Sequence, residues 1–337
     1  MYKRNYICLS ACILWVITAV QPAVLAQHAH DNASTDTVNL AVGDESKRKS
    51  PSFFHRPSKD SSAAQLGFAN KLLSDGKQKA AMKQFSALVH KWHTSPEAPA
   101  AQLAYARILY DRKDYTRAFD EFQYLVDNFA GQFPYEEALD KQFRVANYLM
   151  TARRMKFLFI PGFRIQEQAL PLFEKIVKNG PNWKSSVEAQ FNIGVINEEL
   201  GNHDEAIKAY DLLRYHYPDS ERSVDASFRK AYCLYLAANA NMRDETQCRL
   251  ALSALAGFAG DYPKHGSYEL AVKYRDELDA RLANMNYERA VFYDKSGKIK
   301  AAIIAYEDYI RKFPLSKLAG NASARIEILK GKLEKNK

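Results

Sequence analysis

The chain has 337 residues, 47% hydrophobic and 26% charged, which suits one or two globular domains or one elongated array. Only 14 Gly and 12 Pro argue against a low-complexity or turn-rich all-β protein. A mean hydropathy of −0.41 excludes a multi-spanning membrane protein. The net charge of +9 comes from basic residues that form no long stripe, which argues against nucleic-acid binding.

The first 26 residues have the three parts of a secretory signal. Lys3 and Arg4 form a basic start, an uncharged run follows at 7–20, and Val24 and Ala26 have the spacing that signal peptidase needs. The apolar run is shorter than the roughly 20 residues of a transmembrane helix. The sequence therefore predicts a signal peptide at 1–26 and an exported chain that associates with a membrane only indirectly.

A second interpretation of the same segment involves Cys12. The letters Leu9-Ser10-Ala11-Cys12 match a bacterial lipobox, and lipidation at Cys12 would anchor the protein to a membrane. The apolar stretch before Cys12 is very short, and cleavage there would leave the apolar run 13–17 on the mature protein. Cleavage after Ala26 is the favoured alternative.

Residues 27–60 are polar, rich in Ser and Asp, and without a sustained period, so they are predicted to form a disordered tether. Beyond the signal, only Cys233 and Cys248 remain. An exported chain could join them in a disulfide, but two small buried side chains on helices are the favoured interpretation.

A repeated spacing fills the rest of the chain, a small Ala followed by large apolar residues four and seven positions later. These spacings keep one face of an α-helix apolar. Pro follows the pattern in four copies and would end the helix. The six copies are Ala81-Phe85-Leu88, Ala118-Phe122-Leu125, Ala169-Phe173-Ile176, Ala206-Tyr210-Leu213, Ala251-Leu255-Phe258 and Ala302-Tyr306-Tyr309.

Each copy is the second helix of an antiparallel pair. Gly76, Gly201 and Gly297 stand five residues before the key Ala, where a tight turn is needed. Another apolar-periodic stretch precedes each turn, and Gly194 precedes Ala206 as a small contact residue. The sequence predicts an all-α tetratricopeptide-repeat solenoid at 61–337, with about six helix pairs and a C-terminal capping helix at 319–335.

These repeats resemble the BamD-like family of exported outer-membrane assembly proteins. The resemblance rests on the pattern in the second helix of each pair, on sequences such as Tyr217-Pro218 and Phe313-Pro314, and on the export signal. It implies a non-catalytic periplasmic scaffold, peripheral at the outer membrane, that binds a BamA-like barrel assembly subunit and unfolded outer membrane proteins. A periplasmic adaptor in cell-envelope or division machinery is the alternative.

The sequence shows no sign of catalytic chemistry. It has no phosphate-binding glycine loop, no GxSxG and no CxxC. His90 and His93 lie three apart without a third ligand at suitable spacing, so a surface pair is favoured over a metal site. We therefore expect no enzyme activity, no cofactor and no metal.

Two sets of residues are candidates for partner binding. Repeat geometry places Asn70, Arg107, Tyr110 and Asp111 toward a groove formed by the first helices of the first two pairs. Arg107 would pair with a peptide carboxylate or carbonyl and Tyr110 would stack on an aromatic side chain, although ordinary surface positions explain both as well.

The second set lies in an apolar interruption of the third pair, where Phe157, Phe159 and Phe163 surround the turn signal Pro161-Gly162. The favoured interpretation is that this loop folds back over the neighbouring pair. The alternative is an exposed apolar patch that docks a partner.

Overall fold

The computed structural model describes residue 49 and residues 55–151 and 166–335. These residues form thirteen α-helices and no strand. The helices are α1 (Ser62–Ser74), α2 (Gln78–Lys91), α3 (Ala98–Asp111), α4 (Tyr115–Asn128), α5 (Tyr135–Thr151), α6 (Gln166–Asn179), α7 (Ser186–Glu199), α8 (His203–His216), α9 (Glu221–Ala240), α10 (Glu245–Asp261), α11 (Tyr268–Lys295), α12 (Ile299–Lys312) and α13 (Ala319–Lys335).

The helices form six consecutive pairs, α1/α2 to α11/α12, and α13 packs on α12 as the final helix. All six key alanines lie on the second helix of a pair and are fully buried. The large apolar residues four and seven positions later are buried as well. The predicted repeat solenoid of six pairs with a final helix is therefore confirmed.

Tight turns join the two helices in the first, second, fourth and sixth pairs. Gly76, Gly201 and Gly297 have φ values of 74°, 79° and 72°, in the left-handed region that favours glycine. In the second pair Lys113 takes the same place with φ 64°. The residue after each turn donates a backbone hydrogen bond of 2.9–3.0 Å to a carbonyl five residues earlier, as in a Schellman motif.

The fourth pair places a glycine of one helix directly against a tyrosine ring of the other. Gly194 of α7 lies against the ring of Tyr210 on α8, and a Cβ atom built on Gly194 would stand 2.3 Å from Cε1 of that ring. Tyr210 is fully buried. Glycine is therefore required here by the space that the tyrosine occupies.

The fourth and sixth pairs are each linked to the next helix through a carboxylate. The Tyr210 hydroxyl donates to Glu198 at 2.9 Å, and Arg229 of α9 donates to the other oxygen at 2.9 Å. At equivalent positions of the sixth pair, the Tyr306 hydroxyl donates to Asp294 at 3.4 Å, and Arg325 of α13 donates through two nitrogens at 2.5 and 2.9 Å.

Candidate functional site

A groove lies where α7, α9 and α11, the first helices of the last three pairs, come side by side. Helix α9 packs against both neighbours. The groove encloses about 380 Å³. We call it the C-terminal groove, and it is lined chiefly by Phe191, Arg222, Phe228, Arg229, Tyr232 and Tyr274.

Aromatic rings form one wall of the C-terminal groove. Phe228 and Tyr232, one helical turn apart on α9, stack with their centroids 6.3 Å apart. Tyr235 lies 6.3 Å from Tyr232 and continues the row outside the groove lining. Tyr274 of α11 stacks on Tyr232 at 5.6 Å and on Tyr235 at 4.2 Å. These rings are half-buried, so part of each faces solvent.

Paired charges link α9 to α7 in the groove. Arg222 donates to both oxygens of Glu188 on α7 at 2.8 and 3.0 Å, and its guanidinium lies 4.7 Å from the centre of the Phe191 ring. The hydrogen bonds that Arg222 donates to Glu188 raise the pKa of Arg222, so the guanidinium keeps its charge. Burial raises the pKa of the Tyr232 hydroxyl, which therefore stays neutral. The groove thus offers fixed guanidinium groups with bonds already made to acids.

This arrangement suits the binding of a polypeptide through its side chains. Stacked rings and guanidinium planes accept aromatic and apolar side chains with little change of shape. Within the ranges that the structure describes, no group of three or more His, Cys, Asp or Glu side chains is placed to hold a metal ion.

The predicted residues of the first two pairs lie on α1 and α3. Asn70, Arg107 and Asp111 are exposed, and Tyr110 is half-buried. Arg107 already binds Glu137 of α5, with Nε donating to Oε1 at 2.7 Å. This bond lowers the pKa of the Glu137 carboxyl.

Tyr110 also has neighbours of its own. Its ring meets that of Tyr115 edge-on at 5.6 Å, and the Lys141 ammonium lies 4.3 Å from its centre. A partner at this surface would therefore meet an existing ion pair and an existing aromatic contact. The other predicted set, Phe157, Phe159 and Phe163, lies outside the described residues.

Sequence reasoning missed the C-terminal groove. Its one local signal is the row of Phe228, Tyr232 and Tyr235, aromatic residues spaced four and three apart on α9. Such a row is also typical of a helix face that packs in a core. Tyr274 joins the row only because α11 lies beside α9, which no local pattern shows.

Cys233 and Cys248 are free thiols in separate hydrophobic clusters, as the favoured interpretation expects. Cys233 on α9 is buried, and burial raises its pKa to about 12. Cys248 on α10 points its sulfur toward the Leu278 carbonyl oxygen at 3.6 Å. Both act as small apolar side chains, and a thiol with so high a pKa is a poor nucleophile.

The helix pairs and their small contact residues define the class of protein as a tetratricopeptide-repeat solenoid, a scaffold for protein–protein interaction. Within that class, residues 60–223 match the YfiO family, described as an outer membrane lipoprotein. The predicted BamD-like resemblance is confirmed over this range, which contains the first four helix pairs. Such folds are typically non-catalytic scaffolds.

Several solved structures are similar to parts of this chain. One described as "YrrB: a TPR protein with an unusual peptide-binding site" is 19% identical, covers 64% of this chain and 94% of its own, and has a TM-score of 0.32. A tetratricopeptide repeat protein from Parabacteroides merdae is 12% identical, with 80% and 98% covered and a TM-score of 0.29. MamA from Desulfovibrio magneticus is 14% identical, with 62% and 99% covered and a TM-score of 0.27.

No curated protein sequence matches this chain. Among the described helices, none combines the length and the apolar character that crossing a membrane requires.

Proposed function

We propose that this protein is a non-catalytic periplasmic scaffold, peripheral at the outer membrane, that binds a BamA-like subunit and unfolded β-barrel precursors. The match to a family described as an outer membrane lipoprotein supports the location. Residues 1–26 are the proposed export signal, with cleavage after Ala26. The alternative, a lipid attached to Cys12, also agrees with the family's description as a lipoprotein. The repeat fold supports the role of a scaffold.

The spacing of the rings in the C-terminal groove carries the proposal for barrel precursors. Strands of outer-membrane barrels alternate apolar and polar residues and are rich in aromatic residues near their ends. On an extended chain, side chains on one face repeat about every 6.6 Å. The Phe228 and Tyr232 rings in the groove are 6.3 Å apart, so two alternate side chains of an extended segment could each contact one ring. Tyr235 continues the row at the same spacing outside the groove lining.

Fluorescence anisotropy with a labelled peptide that copies the last strand of an outer-membrane barrel tests this proposal. Tyr274→Ala removes the ring that joins α11 to the α9 row, so we expect binding to weaken about three- to tenfold. Phe292→Ala is the matched control, since Phe292 lies on the same helix, is 62% exposed and is not among the residues that line the groove. Equal loss in both variants, or none in either, would remove the groove from the proposal.

The alternative is an adaptor in cell-envelope or division machinery, which uses the same fold with other partners. Affinity purification from the membrane fraction separates the two. A BamA-like barrel protein should co-purify under the first proposal and be absent under the second. The predicted surface of Asn70, Arg107, Tyr110 and Asp111 is our proposed second contact for such a partner.

A further inference from the structure

A small pocket between α3 and α4 holds the side chain of Lys49, which precedes the first helix by thirteen residues. The Lys49 ammonium donates to the Gln102 side-chain oxygen at 3.2 Å and pairs with the Glu121 carboxylate. It also lies 4.6 Å from the centre of the Tyr124 ring and 5.2 Å from that of Tyr105. We call these four side chains, Gln102, Tyr105, Glu121 and Tyr124, the lysine pocket.

The walls of the lysine pocket are fixed by other bonds. Gln102 is fully buried, and its amide donates to the Glu121 backbone carbonyl at 3.0 Å and to the carboxylate at 2.7 Å. Arg117 donates to the Tyr105 hydroxyl at 2.9 Å. The Tyr124 hydroxyl accepts a hydrogen bond of 3.1 Å from the backbone nitrogen of Lys49. The pocket therefore recognises both an ammonium group and the backbone that carries it.

The repeat fold does not require this chemistry. Three residues after the key Ala the six pairs have Gln84, Glu121, Leu172, Ala209, Ala254 and Ala305, and six residues after it they have Ala87, Tyr124, Lys175, Leu212, Gly257 and Asp308. The second pair alone places a carboxylate beside an aromatic ring at these positions. Its Gln has counterparts in Gln65 and Gln190, which donate to the second helix in the same way.

Burying an ammonium group is costly unless its lost hydration is replaced. The side chains of Lys49 and Glu121 are only 16% and 17% exposed. Burial lowers the pKa of Lys49, and the Glu121 carboxylate opposes that shift. A carboxylate, an amide oxygen and two ring faces replace water around the charge, as in other sites that select cations.

We propose that the lysine pocket is a binding site for a lysine side chain on an extended polypeptide, and that Lys49 occupies it as an intramolecular ligand. Close to α1 the chain is also bonded to the first pair, since the backbone nitrogens of Ser58 and Lys59 donate to the Gln65 side-chain oxygen at 2.9 and 3.0 Å. A lysine of a partner would compete with Lys49 for the pocket. The site is separate from the C-terminal groove, so either proposal can fail alone.

The test uses the full chain and a labelled peptide of residues 45–53, which carries Lys49. In the Lys49→Ala chain the pocket has no intramolecular lysine, so we expect the peptide to bind about tenfold more tightly than to the parent chain. Glu121→Gln, added to Lys49→Ala, keeps the shape of the pocket but removes its charge, and should weaken binding about tenfold. Tyr124→Phe, added in the same way, removes only the hydroxyl and should weaken binding to a smaller extent.

Norleucine in the peptide separates a specific site from general attraction to a basic segment. Norleucine at position 49 should abolish binding, whereas norleucine at position 47 should leave it unchanged. Circular dichroism of each variant checks folding. If Glu121→Gln does not fold, weaker peptide binding by the Tyr124→Phe variant supports the proposal, and unchanged binding contradicts it. Equal binding by parent and Lys49→Ala chains, or equal effects of norleucine at both positions, would overturn the proposal.

Discussion

The fourth and sixth helix pairs use the same three kinds of side chain to join one pair to the next helix, but they distribute the bonds differently. In the fourth pair the Tyr210 ring lies against the bare backbone of Gly194, and its hydroxyl is 2.9 Å from Glu198. Arg229 adds one bond of 2.9 Å to the other oxygen of that carboxylate. The tyrosine and the arginine each contribute one good hydrogen bond.

In the sixth pair Ala290 stands where the fourth pair has Gly194, and the shorter Asp294 replaces Glu198. The Tyr306 hydroxyl is 3.4 Å from the carboxylate, at the long end for a hydrogen bond. Arg325 of α13 makes up for this weak bond with a bidentate hydrogen bond to Asp294. Here the link depends on the arginine, and the tyrosine acts mainly through its ring.

The difference shows that the repeat fixes the places of the linking groups while the side chains decide which bond matters. Intervals of twelve residues from acid to tyrosine and thirty-one from acid to arginine hold in both pairs. The fourth pair keeps its acid beside the C-terminal groove. The sixth pair uses the same link to attach the final helix.

Of the substitutions that test this comparison, Gly194→Ala should change the stability of the protein most. The new Cβ would stand 2.3 Å from a fully buried ring, so α7 and α8 must separate or Tyr210 must move away from Glu198. We expect a loss of about 2–3 kcal/mol in the free energy of unfolding, measured by urea denaturation.

The matched control for Gly194→Ala is Gly257→Ala in the middle of α10. Gly257 is exposed, and a Cβ there would meet nothing within 4 Å. Alanine is the better helix former, so this change should stabilise by about 0.5–1 kcal/mol. If both variants shifted the midpoint alike, the contact between Gly194 and Tyr210 would not be important for stability.

Arg325→Met should have the next largest effect on stability, because Arg325 supplies the main bonds that link the sixth pair to α13. The hydrogen bonds from Arg325 hold the pKa of Asp294 below its ordinary value of 3.8. A lowered pKa in the folded state stabilises the fold above the ordinary value, and this stabilisation is lost as pH falls through the folded-state pKa. Since Arg325 is 37% exposed, solvent screening should limit the loss at pH 7 to about 1 kcal/mol.

The pH dependence separates this effect from a general loss of packing. The melting temperatures of the parent and the Arg325→Met chain should differ at pH 7 and converge as the pH falls below 3.8. Arg311→Met is a control, because Arg311 is a mostly exposed residue paired with Asp308 on the surface of α12. A gap of the same size at pH 7 and at low pH would show that the charge of Asp294 is not involved.

Local periodicity made the six helix pairs predictable, because each key Ala and its two apolar partners lie within two turns of one helix. The turn at Lys113 lacks the glycine signal of its counterparts, yet the apolar pattern on both sides still fixes the pair. The prediction that Arg107 binds a peptide used only the helix face on which it lies. Its bond to Glu137, thirty residues away on α5, follows from how two pairs stack, and no local spacing shows it.

The same reason explains why the site was harder to predict than the fold. Tyr274 reaches the α9 aromatic row across some forty residues, and Lys49 reaches Glu121 across seventy-two. Helical periods describe which residues share a face. They do not describe which face of one pair meets a residue of another.

Tyr210→Phe and Tyr306→Phe give the smallest and sharpest test of the comparison. Both changes keep the ring and remove one hydroxyl, so packing is unaltered and only the bond to the carboxylate is lost. Tyr210 donates at 2.9 Å to a carboxylate whose side chain is 10% exposed, and we expect Tyr210→Phe to cost about 1 kcal/mol. Tyr306 donates at 3.4 Å, so Tyr306→Phe should cost less than half as much. Thermal denaturation of the two variants side by side measures the difference. Equal losses would mean that the tyrosine–carboxylate bond contributes equally in the fourth and sixth pairs.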